Sequence, residues 1–162
     1  AIMYGPIDED AESVTEVLFY HLERHPLEHV LPTLVEKTLE RGWRAVVQAG
    51  SDERVEALDT LLWTYKEESF LPHGTKRDGR PAEQPVYLTT CDENPNSATV
   101  RFLVDGAPLP TLSTYARIVT LFDGHDATAV ERAREQWKAA KAEGCEATYW
   151  QQSSQGRWEK RA

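Results

Sequence analysis

Apolar positions fall along this chain in two alternating rhythms. Thr15–Leu22, TEVLFYHL, is a mostly apolar run of strand formers, the pattern of a strand covered on both faces. From Leu27 the spacing changes to that of a helix, with Leu27, Val30, Leu31, Leu34, Val35 and Leu39 on one side. Pro26 suits the first turn of that helix and Gly42 its end, and Pro32, within the first two turns, is expected to bend it. WRAVVQAG returns to the strand pattern. Ser51 then caps a second helix, DERVEALDTLLWTY, with Val55, Leu58, Leu61, Leu62 and Tyr65 on one side.

Lys66–Gln84 is rich in turn residues. PVYLTT, TVRFLVDG and ARIVTLFDG read as three strands, with CDENPNSA as a loop after the first. Asp126 or Thr128 opens a third helix that Gly144 ends, and EATYW reads as a last strand. The order β-α-β-α-β-β-β-α-β predicts an α/β fold: a three-layer Rossmann-like domain with a mixed, largely parallel sheet. Residues 15–151 carry this domain. Residues 1–14, small, acidic and turn-rich, read as a flexible leader or a remnant of expression, and residues 152–162 as a polar C-terminal tail.

Charge narrows the choice of partner. Asp and Glu number 27 against 18 Lys and Arg in 162 residues, a formal net charge of -9. That balance disfavours strong direct binding to nucleic acid, which needs a basic face, and leaves room for a local basic patch. No apolar run reaches the roughly 20 residues of a membrane helix, so no membrane partner is expected. Two cysteines, Cys91 and Cys145, in separate segments make neither a disulfide framework nor a zinc pattern, and the expected setting is the cytoplasm.

Catalytic chemistry finds little support. A nucleotide-binding domain of this order carries glycines in the turn after its first strand, so that the backbone can approach a phosphate. Here the turn is HLERHP, and AGSDE after the second strand follows its one glycine with acids. The glycine-rich nucleotide loop is therefore missing. His21, His25 and His29 are four apart, but the strand end at His21 and the break at Pro26 keep them off a common face, so they read as loop and helix-surface histidines. His73 is expected to hydrogen-bond a turn. With no nucleophile elbow, the reading is no catalytic residues, no metal and no cofactor.

Two constellations remain. Arg134, Trp137, Lys138 and Lys141 stand at i, i+3, i+4 and i+7, on one face of the third helix, while Val130, Ala133 and Ala140 face the core with Trp137 at the border. Three cations around an indole suit an apolar ligand bearing a carboxylate; the plainer reading is a solvated face with cations favoured near a helix C-terminus. Trp63, in the last turn of the second helix, and Phe70, in the following loop, form either a cover over the core edge or an apolar docking patch.

The stretches LLWTYKEESFLPHG, AREQWKAAKAEG and EVLFYHL resemble the chi subunit of bacterial DNA polymerase III holoenzyme, over about Thr15–Trp150. The resemblance implies a Rossmann-like fold without nucleotide chemistry. It implies a non-catalytic accessory subunit of the clamp-loader assembly that grips the acidic C-terminal tail of single-stranded DNA-binding protein during DNA replication. In that family a basic residue, an aromatic and a lysine on the last helix bind the tail; they map onto Arg134, Trp137 and Lys138, with Trp137 where tyrosine is expected. Phe122 is the implied pocket wall. Trp63 and Phe70 map onto the face that binds the small psi subunit, and here the partner is a psi-like or clamp-loader subunit. The alternatives are a nucleotide-binding enzyme on the same fold and a direct single-stranded DNA binder stacking bases on Trp137.

Overall fold

The computed structural model describes residues 15–23, 26–64, 73–75, 80–110, 112–153, 155 and 157–161, except for the side chains at 63 and 113. Strands β1 (Glu16–Leu22), β2 (Ala45–Gln48), β3 (Gly74–Thr75), β4 (Val86–Thr89), β5 (Val100–Leu103), β6 (Arg117–Asp123), β7 (Glu146–Gln152) and β8 (Trp158–Lys160) form one sheet in the order β3-β4-β2-β5-β6-β1-β7-β8. All pairings are parallel except β7 with β8. Helices α1 (Leu27–Glu40), α2 (Asp52–Thr64) and α3 (Ala127–Ala142) complete the fold. It is the three-layer, largely parallel Rossmann-like arrangement that the alternating pattern implies.

The layers follow from side-chain alternation along the strands. Leu18, Tyr20 and Leu22 of β1 join Val119 and Leu121 of β6 in a core under α1 and α2, which supply Leu31, Leu34, Val35, Leu58 and Leu62. Val17 and Phe19 point the other way, with Ile118 and Phe122, into a smaller core under α3. That helix offers the sheet only Ala133 and Ala140 as fully covered residues. Small residues let its axis lie close to the strands, and Trp137 fills the flank. Val130, expected in the core, is half-buried. Pro32 lies inside α1, and the helix runs unbroken through it.

Two strands are additional to the sequence expectation. β3 is only two residues long and pairs with β4 at one edge. β8 lies in the segment expected to be a polar tail, and it pairs with β7 at the other edge. Its one large apolar residue, Trp158, meets Tyr20 edge-on at 4.9 Å, which gives an otherwise charged strand a hold on the core.

Beside β2 and β4, on the α3 side, loop 90–99 takes the place of a helix. Arg101 of β5, fully buried, holds that loop. Its guanidinium donates to Gln48 Oε1 at 2.6 and 3.2 Å, to the carbonyls of Cys91 and Glu93 at 2.8 and 2.7 Å, and to the Tyr115 hydroxyl at 2.8 Å. Among the described residues the nearest carboxylate, Asp92, is 4.0 Å away.

Candidate functional site

Strands β1 and β6 are neighbours, yet the chain leaves β1 for α1 on one face and β6 for α3 on the other. In a parallel sheet this divergence opens a crevice at the strand C-termini, the usual ligand position of the architecture. A cavity of about 560 Å³ lies there, with Leu22, Leu27, Leu121 and Phe122 among its apolar walls. Glu23, Glu28, Asp105, Asp123 and Asp126 line it as well, against Arg54, Arg132 and His125. Arg54 is taken up by Asp105 at 2.9 Å and Glu28 at 3.6 Å. Five carboxylates around one crevice are a poor setting for a phosphate.

A second concavity, of about 630 Å³, opens on the outer side of α3. Asp126 begins the helix by accepting hydrogen bonds from the backbone N–H groups of Thr128 and Ala129 at 3.0 and 3.2 Å. Gly144, at φ 82°, ends it, and Cys145 N–H returns to the Ala140 carbonyl. Between these ends Ala127, Val130, Arg134 and Lys138 face the cleft, with Glu131 and Glu135 beside them. Lys138 meets Glu135 at 3.7 Å, both well exposed.

The strands supply the opposite wall. His21, at the end of β1, is 8% exposed. Its ring takes Tyr149 Oη at 2.6 Å through Nδ1 and lies edge-on to Phe122 at 5.3 Å. Gly124 closes over it: a Cβ there would run into the imidazole and stand 2.7 Å from the Leu22 carbonyl. Nε2 is 3.1 Å from Glu23 Oε1, close enough to attract once protonated, yet it has no aligned hydrogen-bond partner. Burial pulls the imidazole below the usual histidine range, Glu23 opposes this, and His125 and Arg134 add to it. Burial also raises the Tyr149 phenol.

The four residues with helical spacing therefore divide. Arg134 and Lys138 line the cleft. Trp137 leans half-buried against the smaller core, with Lys141 Nζ 5.1 Å over its ring as a cation–π pair. Phe122, 7% exposed, backs His21 and lines the neighbouring crevice rather than the α3 cleft. Trp63 lies in the last turn of α2, but its side chain, like the whole of Phe70, lies outside the described residues, as does His25. His73, expected to bond a turn, reaches α2 instead, 3.0 Å from Asp59 Oδ1. His21, read as a surface histidine, is buried at the cleft, and Glu23 and Tyr149 join it there. The clue to His21 in the sequence is its register: it follows Val17 and Phe19 at period two on the α3 side of β1.

Among the described residues no cluster of His, Cys, Asp and Glu has the makings of a metal site. Nor is any helix among them long and apolar enough to cross a membrane.

Comparison with known proteins matches the family described as "DNA polymerase III chi subunit, HolC" to residues 14–148. A relative from Rickettsia prowazekii (strain Madrid E), named "Probable DNA polymerase III subunit chi", is 27% identical over 116 residues, covering 72% of this chain and 70% of its own length. The chain belongs to the family of DNA polymerase III chi subunits, accessory subunits of that polymerase.

Proposed function

We propose that the α3 cleft receives the acidic C-terminal tail of single-stranded DNA-binding protein, and that the chain tethers the clamp-loader assembly to single-stranded DNA coated by that protein. One observation carries the reading: two cations, Arg134 and Lys138, line a single cleft with Ala127 and Val130 as its apolar wall. A terminal carboxylate has a guanidinium fork and an ammonium to meet, and an apolar last residue has a place to lie. Family membership supports the choice of ligand. Trp137 and Lys141 then extend the site along the helix, and Phe122 supports it from behind. The family resemblance assigns Trp63 and Phe70 to contact with a psi-like or clamp-loader subunit.

The tail peptide is expected to bind in the micromolar range, about -7 to -8 kcal/mol. Titration calorimetry with a peptide of the tail sequence tests this. Arg134→Glu or Lys138→Glu is expected to abolish the heat signal, and raising salt to weaken it. No binding by the unaltered protein, or binding indifferent to both reversals, refutes the assignment.

A further inference from the structure

Three carboxylates line this cleft: Glu131 and Glu135 at exposed positions of α3, and Glu23 on the strand wall, where its own contacts hold it. Gln151 Nε2 donates to its Oε1 at 2.7 Å, its backbone N–H donates to Gln152 Oε1 at 3.1 Å, and its carbonyl meets His125 Nε2 at 2.8 Å. These contacts fix Glu23 on the same wall as His21, facing Arg134 and Lys138. The imidazole beside it is pinned by Tyr149, Phe122 and Gly124, and its Nε2, without an aligned partner, lies 3.1 Å from the carboxylate. A protonated ring places a positive charge 3.1 Å from that carboxylate, and a neutral ring does not.

We propose that His21 and Glu23 form a proton-operated gate on this cleft, Glu23 repelling an incoming carboxylate while His21 is neutral and losing that effect when His21 is protonated. The inference rests on the tail-binding reading above and concerns the regulation of the same site.

Each described charged group around the ring bears on the outcome. From β6 and its following turn come Asp123 and His125. From β7 come Tyr149 and the neutral Gln151. From α3 come Arg134 and Lys138, with Glu131 and Glu135 on the rim. Arg134 and His125 disfavour the imidazolium and Glu23 favours it. A bound carboxylate beside Arg134 would screen that cation from the ring. Binding therefore takes up a proton, and by linkage acidification tightens binding.

The test is calorimetry of the acidic tail peptide at pH 5.5, 6.5 and 7.5, repeated at pH 6.5 in buffers of different ionisation enthalpy to read proton uptake. The unaltered protein is expected to bind roughly threefold or more tightly at pH 5.5 than at 7.5, with uptake of a fraction of a proton. Glu23→Gln is expected to bind more tightly at pH 7.5 and to lose most of the pH dependence. His21→Gln, which keeps a polar partner for Tyr149, should lose it as well, whereas His125→Gln should retain it. A flat profile for the unaltered protein, or a slope that survives His21→Gln, overturns the gate while leaving tail binding intact. Absence of binding at all three pH values overturns the functional reading and the gate together.

Discussion

Replacing Arg101 by alanine should be one of the costliest single changes in the domain. The side chain is fully buried, and its charge is held almost wholly by neutral acceptors: the Gln48 amide, two loop carbonyls and the Tyr115 hydroxyl. Truncation leaves Gln48 Oε1 and Tyr115 Oη without their buried donor, at about 1–3 kcal/mol for each unmet group. The carbonyls of Cys91 and Glu93 are only partly covered, so water meets them at lower cost. Relief of the buried charge offsets part of the loss. The net is about 3 kcal/mol, a large share of the ~5–15 kcal/mol that keeps a domain folded. For a chain of this size that is a fall in Tm of roughly 6–12 °C. Urea unfolding followed by tryptophan fluorescence measures it, with a lower midpoint at unchanged slope. Tyr115→Phe, which removes one acceptor and leaves the rest of the fork bonded, should cost about 1 kcal/mol. An alanine variant within about 1 kcal/mol of the unaltered protein would show that the loop is held by other means.

Asp126→Ala removes the cap of α3 and should cost about 1 kcal/mol in urea unfolding, while tail affinity falls only modestly. Gly124→Ala drives a methyl into His21 and towards the Leu22 carbonyl; about 1–3 kcal/mol of overpacking is expected, partly recovered in the double variant with His21→Ala, as a double-mutant cycle would read. Because His21 is held below its ordinary range of about 6.5, the unfolded chain takes up its proton first. Stability should therefore fall as pH drops from about 6.5 towards the folded-state value, a slope in Tm that His21→Gln should reduce.

Much of the architecture was legible because α/β packing writes itself into apolar rhythm. Buried strands such as Val17–Tyr20 are continuous in apolar residues, and α1 repeats at 3.6. β3 and β8 were not legible for opposite reasons. Two residues of β3 are too few to show a period, and β8 is a charged edge strand held by neighbours rather than by its own composition. The helical half of the cleft could be read from spacing, since Arg134 and Lys138 share a face by geometry alone. The strand half could not. His21 and Tyr149 lie 128 residues apart, and only the parallel pairing of β1 with β7 brings them together.

That pairing has a consequence during synthesis. β1 precedes every other described strand, yet both of its neighbours, β6 and β7, come far after it; Glu16 and its partner Arg117 are separated by 101 positions. At a ribosomal rate of about 5–20 residues per second, Val17–Leu22 waits roughly 5–20 s for any sheet partner. During that interval an apolar, strand-forming segment has two open edges, the kind of surface that aggregates or engages chaperones. A version of the chain that began at β2 and carried β1 after β7 would shorten the wait, and the yield of soluble protein from the two orders would show how much it limits production.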